Sequence, residues 1–158
     1  MVFHFALRYE FGMPLKSGET HQEYMDRMMN PISPTFCAAK WLNATIWLNS
    51  GQTVSCHHPP SHKIDLKEIK TNPSTIHNTA KKEEARKQML KGERPSECEY
   101  CWKIEDMGTG AFSDRLFKTF NYRDSDIQKL PTLMPGEPPP IRTLEIAFDR
   151  VCQFACMY

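Results

Sequence analysis

The sequence lacks any apolar run that approaches the roughly 18 residues needed to span a bilayer. It also lacks a strong charge of either sign, because its 158 residues carry a formal net charge of +1. Such a balance gives no field that would attract nucleic acid or an anionic membrane. The N-terminal residues show no basic leader, apolar stretch or small-residue cleavage site. These absences predict a cytoplasmic protein with neither a nucleic acid nor a membrane as partner.

Two common catalytic patterns are missing as well. The turn Gly108-Thr109-Gly110 lacks the lysine and the following helix start of a phosphate-binding loop. No serine, histidine and acid combination stands out as a hydrolytic triad, and no internal repeat is visible. The function must therefore be sought in other residue types.

Local patterns predict an α+β fold. Residues 43–49 are typical of a strand, and Ser50-Gly51 is a turn signal before 52–55, so a β-hairpin is expected. Thr20 and Glu23 have the spacing of a capping box at the start of a short helix.

Three further helices are expected along the chain. Asn72 as N-cap, Pro73 in the first turn and Gly92 at the end predict one long helix. Shorter helices are predicted near Cys98 and over residues 113–120.

A proline-rich segment, residues 131–140, contains five of the twelve prolines and is typical of a stiff, extended linker. The β-branched, alternating residues 141–148 follow it and predict a strand. A cysteine pair, Cys152 and Cys156, comes directly after that strand.

Six cysteines in a protein expected to be cytoplasmic are metal ligands or reactive thiols rather than disulfides. The first four are Cys37, Cys56, Cys98 and Cys101. The Cys98-x2-Cys101 spacing brings two sulfurs to one metal or cluster, and the fold must supply the other two. Four thiolates make a closed site that suits structural zinc or a fully ligated iron–sulfur cluster, and the spacing does not choose between them.

Histidines complicate the ligand count. Four of them lie between the second and third cysteines, namely His57, His58, His62 and His77. A helix would place His58 and His62 on one face, but Pro59 and Pro60 oppose a helix there. We therefore expect surface histidines, or buried ones with hydrogen-bond partners, rather than ligands.

The tail holds a second constellation, in which Cys152 and Cys156 are followed by the aromatic Tyr158. This is the beginning of a three-cysteine iron–sulfur spacing whose third cysteine would fall directly after Tyr158. Three thiolates leave one iron of a cubane cluster with an open coordination position. The other interpretation is a pair of incidental cysteines at a chance spacing.

Residues 151–158 resemble the Cys-x3-Cys-x-aromatic-Cys signature of the radical S-adenosylmethionine (radical SAM) enzymes. The upstream cysteines resemble the twitch or SPASM-type auxiliary-cluster domain of many such enzymes, with Gly51-x4-Cys56 and Cys98-x2-Cys101 as its hallmarks. In most relatives with SPASM domains the auxiliary motif follows the core signature, whereas here it comes first.

The resemblance implies a domain order. Residues 1–33 would be an N-terminal extension, 34–122 a twitch-like domain of a β-hairpin plus helices, and 123–140 the linker. Residues 141–158 would begin a partial (β/α) radical SAM barrel. Because a (β/α) barrel needs on the order of 200 residues, we expect the chain to be a fragment that does not cleave SAM by itself.

The resemblance also implies cofactors and roles. Cys152 and Cys156 would ligate a core 4Fe–4S cluster that binds SAM and reductively cleaves it to a 5′-deoxyadenosyl radical, with Tyr158 packed beside it. Cys37, Cys56, Cys98 and Cys101 would hold an auxiliary 4Fe–4S cluster. An oxidoreductase of this kind takes electrons from an external donor such as a flavodoxin or ferredoxin. Its substrate is unknown, and relatives often modify peptides. The alternative is a small zinc-binding interaction module, with four cysteine ligands and no enzymatic activity.

Overall fold

A computed structural model describes residues 15–133 and 137–148, which form an α+β fold as the sequence predicts. The described residues contain six α-helices and one four-stranded sheet. The helices α1 to α6 span His21–Tyr24, Ala39–Leu42, Ala80–Leu90, Glu99–Glu105, Asp114–Thr119 and Asp124–Lys129. The strands β1 to β4 span Asn43–Trp47, Gln52–Val54, His62–Lys63 and Thr143–Ala147. Shorter 3-10 turns cover Glu68–Lys70, Pro73–Ile76, Ser96–Cys98 and Leu130–Thr132, and a π-helical turn covers Met25–Met29.

The predicted β-hairpin is confirmed. Strands β1 and β2 pair antiparallel, with Thr45 opposite Val54 and Trp47 opposite Gln52. Gly51 has a φ of 59° in the connecting turn, a left-handed conformation that glycine adopts without a steric penalty. The hairpin matters for the site because β2 ends two residues before Cys56.

The strand predicted after the proline-rich segment is also confirmed, and it joins the same sheet as the hairpin. The strand order is β3-β2-β1-β4, and β4 runs parallel to β1. The Thr45 hydroxyl donates a hydrogen bond of 2.8 Å to Glu145, and the Arg142 amide donates one to the Leu42 carbonyl. These contacts fix the strand next to the hairpin.

The long helix predicted from Asn72 begins later than expected. Pro73–Ile76 is a 3-10 turn, and α3 starts at Ala80 with Thr79 as N-cap. The Asn72 side chain makes no capping hydrogen bond, whereas the Thr79 hydroxyl accepts one from the Lys82 amide. The predicted end is right, because Gly92 follows the helix with a φ of 78°.

The core lies between the helices. Its fully buried side chains include Tyr24, Met29, Phe36, Leu42 and Met89.

The predicted capping box at Thr20 and Glu23 is present, so α1 begins where the sequence indicates. In the described parts of the chain, every helix is too short or too polar to cross a membrane.

Candidate metal centre

Four separate elements bring the first four cysteines together. Cys37 lies just before α2, and Cys56 follows the second strand of the hairpin. Cys98 ends the Ser96–Cys98 turn, and Cys101 lies in the first turn of α4. All four side chains line one small cavity, although successive members are 19, 42 and 3 positions apart in the sequence (37 to 56, 56 to 98, 98 to 101).

The cavity is small, apolar and close to the core. It measures about 20 Å³, and no polar surface lines it. Cys37, Cys98 and Cys101 are buried, Cys56 is half-buried, and all four are free thiols. The remaining lining residues are Ala39, Lys40, His58, Pro59, Met89 and Arg115. Four thiols around one small cavity form a donor set for a soft metal centre.

The spacing of the sulfur atoms bears on which centre fits. In the described residues, no three cysteine sulfurs lie within 4.8 Å of one another, since the one group that meets this criterion contains no cysteine. A tetrahedral zinc ion holds each thiolate about 2.3 Å away, so any two sulfurs stand about 3.8 Å apart. An iron–sulfur cluster is wider than a single ion, and its thiolate ligands stand farther apart.

Burial keeps the four thiols protonated when nothing is bound. It raises the pKa of Cys37 to about 12 and that of Cys98 to about 11, with neighbouring cysteines adding to the shift at Cys37. Burial also raises the pKa of Cys56 and of Cys101. Ligation therefore requires positive charge, from the bound metal and from nearby side chains, to stabilise the thiolates.

Lys40 supplies part of that charge. Its side chain is 3% exposed, forms an ion pair with Glu97 and hydrogen-bonds with Cys98. The ammonium also lowers the pKa of Cys37 and Cys56 against the effect of burial. A buried lysine at this place favours an anionic centre over four neutral thiols.

Arg115 also lines the cavity. Its guanidinium donates hydrogen bonds of 2.9 and 3.0 Å to Glu105 and another to the Phe36 carbonyl, next to Cys37. Its backbone amide donates to Cys101. The His58 amide likewise donates to Cys56. Hydrogen bonds of this kind favour the thiolate form.

The structure describes some of the other predicted site residues and not others. Cys152, Cys156 and Tyr158 lie outside the described residues. His62 hydrogen-bonds Thr79 at 2.7 Å, as expected for a histidine with a hydrogen-bond partner. His57 and His58 instead meet at Asp114, a residue that the sequence analysis did not single out. No local motif marks Asp114, because it is 56 positions from His58 in the sequence and only the fold brings the two side chains together.

An open groove of about 720 Å³ borders the cysteine cavity, and His58 lines both. Charged side chains of both signs line it, among them Lys81, Glu84, Glu97 and Lys103. The candidate centre therefore lies beside a solvent-open groove.

Comparison of the chain with known proteins found no match among protein-family models, curated proteins or solved structures.

Proposed function

We propose that Cys37, Cys56, Cys98 and Cys101 hold a 4Fe–4S cluster, as the auxiliary-cluster domain of a radical SAM enzyme. The observation that carries this proposal is the convergence of all four cysteines on one small cavity. The order of these cysteines around a β-hairpin and a Cys-x2-Cys helix start agrees with the resemblance to twitch domains.

The donor set and its surroundings fit such a cluster. Four free thiols are its usual ligands. Lys40 and Arg115 balance the negative charge of the thiolates. A zinc ion would have to draw the sulfurs closer together than they stand.

The chain's own residues set the properties of the centre. The backbone amides of His58 and Arg115 stabilise the thiolates of Cys56 and Cys101 respectively. Burial and hydrogen bonds to sulfur are two of the factors that set the reduction potential of an iron–sulfur site. When bound, the cluster supplies one-electron transfer or a place to position a substrate.

The wider part of the proposal is reductive cleavage of SAM and modification of an unknown substrate, for which a peptide is one candidate class. It depends on the resemblance of residues 151–158, with Cys152 and Cys156 as ligands of a core 4Fe–4S cluster and an external one-electron donor as partner.

Anaerobic reconstitution with iron and sulfide tests the four-cysteine cluster. The Cys152→Ser/Cys156→Ser double variant removes the tail thiols and should still develop the broad visible absorption of an iron–sulfur cluster. Adding Cys37→Ser or Cys98→Ser to that background should remove most of the absorption, because each is a buried member of the set. The double variant controls for serine substitution itself. Equal absorption in all variants, or none in the double variant, would refute the assignment.

A further inference from the structure

Three side chains other than the cysteines converge beside the metal centre. The Nε2 atoms of His57 and His58 lie 3.5 and 2.8 Å from Oδ2 of Asp114. The three donor atoms all lie within 4.8 Å of one another. Within residues 15–133 and 137–148, no other group of three histidine, cysteine or acidic side chains is as tight.

The fold holds this group in place from two sides. The His58 ring stacks on Tyr100 with centroids 3.9 Å apart and planes 16° apart. Pro59 follows His58 and restricts its backbone to extended conformations. Asp114 begins α5, directly after the N-cap Ser113, so its backbone is fixed by the helix.

The distances match those around a small divalent ion. Zinc binds imidazole nitrogen at about 2.0–2.1 Å and carboxylate oxygen at about 2.0–2.2 Å. Tetrahedral ligands at that range stand about 3.4 Å apart. The two separations in the structure lie on either side of this value, and a bound ion would replace the hydrogen bond that now joins His58 to Asp114.

We propose that His57, His58 and Asp114 form a second metal site, which binds a divalent first-row ion such as Zn²⁺. Two imidazoles and a carboxylate suit zinc and its neighbours, whereas the four thiols suit iron–sulfur or thiolate chemistry. Three protein ligands leave a fourth tetrahedral position for water or another ligand. The His57 side chain is 59% exposed and that of Asp114 34%, so the ion can enter from solvent.

This site does not depend on what the cysteines bind. Its donors are distinct from the four thiols, and neither His57 nor Asp114 lines the cysteine cavity. Lys118 weakens cation binding at this site. Its positive charge disfavours the protonated form of His57 and would repel a bound cation in the same way. We therefore expect moderate, exchangeable binding.

Isothermal titration with Zn²⁺ tests the proposal. The protein is the Cys152→Ser/Cys156→Ser variant, in which the four-cysteine site has first been loaded and free metal removed. We expect one further Zn²⁺ per chain. His57→Ala and Asp114→Asn should each weaken that binding by about tenfold or more, since even the partners of ligands contribute on that scale. His77→Ala is the matched control and should leave it unchanged, because His77 is not in the group.

Absence of the additional Zn²⁺, or equal affinity in His57→Ala, would overturn the proposal. His57 is largely exposed, so its variant should fold normally, and its circular dichroism spectrum checks this. The result is separate from the cluster assignment, because the first load is counted independently whether the cysteines take iron and sulfide or zinc.

Discussion

Lys82 is a buried cation on the sheet side of α3. The residue is only 2% exposed, and its ammonium donates hydrogen bonds of 2.8 Å to the Thr53 hydroxyl and 3.2 Å to the Val54 carbonyl. Burial, with smaller contributions from Arg86 and Lys40, lowers its pKa to about 7. In the unfolded chain the group returns to its ordinary pKa of 10.5.

This difference makes stability depend on pH. Between pH 7 and 10.5 the unfolded chain binds more protons at Lys82 than the folded chain, so this group raises the free energy of unfolding as pH rises. Its contribution is lost as pH falls through 10.5 towards 7. Lys82→Met should remove this dependence, which amounts to at most about 1.4 kcal/mol per pH unit.

Urea unfolding of wild type and Lys82→Met at about pH 7, 8 and 9 measures the effect. The difference in unfolding free energy between them should change in favour of wild type as pH rises, and comparing the two cancels the titration of the cysteines. Lys87→Met is the matched control, because Lys87 is exposed on the same helix. A constant difference between wild type and Lys82→Met would show that Lys82 keeps an ordinary pKa.

At the residue scale the sequence marks the four upstream cysteines as candidate ligands but not the residues around them. The four cysteines stand out by type and spacing, and the structure brings them to one cavity. Lys40, Arg115 and Asp114 were not predicted as parts of the site, because their roles depend on contacts far along the chain, such as Lys40 with Glu97 and Arg115 with Phe36. A lysine or aspartate carries no local signal for such a contact.

Secondary-structure elements were predictable where a local chemical signal is strong. The hairpin turn at Gly51 and the helix end at Gly92 both need positive φ, and both glycines have it. The helix start was placed at Asn72 because asparagine before proline is a good start signal. The chain instead uses Thr79, which the pattern does not distinguish, since the intervening residues form a 3-10 turn.

Thr79 also links α3 to the sheet. Its hydroxyl accepts from the Lys82 amide at 3.3 Å and hydrogen-bonds the His62 ring at 2.7 Å. Thr79→Ala should lower the free energy of unfolding by about 1–2 kcal/mol, because it removes an N-cap and leaves the half-buried His62 without this partner. Thr79→Ser keeps the hydroxyl and should recover most of the loss. Urea unfolding measures both, and equal stability of the two variants would contradict the capping role.

The arrangement of the whole molecule could not be predicted from local patterns. The strand expected to begin a separate barrel pairs with β1, so in this structure it extends the sheet of the hairpin. Parallel pairing between residues 43–47 and 143–147 joins segments about a hundred residues apart, and no local pattern specifies it.

The candidate metal centre depends on the same global assembly. Its four cysteines come from the start of α2, the end of the hairpin and the start of α4, so they meet only when these elements are in place. Because the unfolded chain has no such site, the free energy of binding adds to the stability of the fold. We expect loading to slow proteolysis of the segment between Cys37 and Cys101.

The metal and acid-labile sulfide content of the Cys152→Ser/Cys156→Ser variant, reconstituted anaerobically with iron, sulfide and zinc all present, tests the cluster assignment most directly. The account predicts about four irons and four sulfides per chain, as in one 4Fe–4S cluster. Zinc bound to the site formed by His57, His58 and Asp114 would add to the metal count without replacing iron. One zinc per chain held by the four cysteines, with neither iron nor sulfide, would contradict the account and identify a zinc module instead.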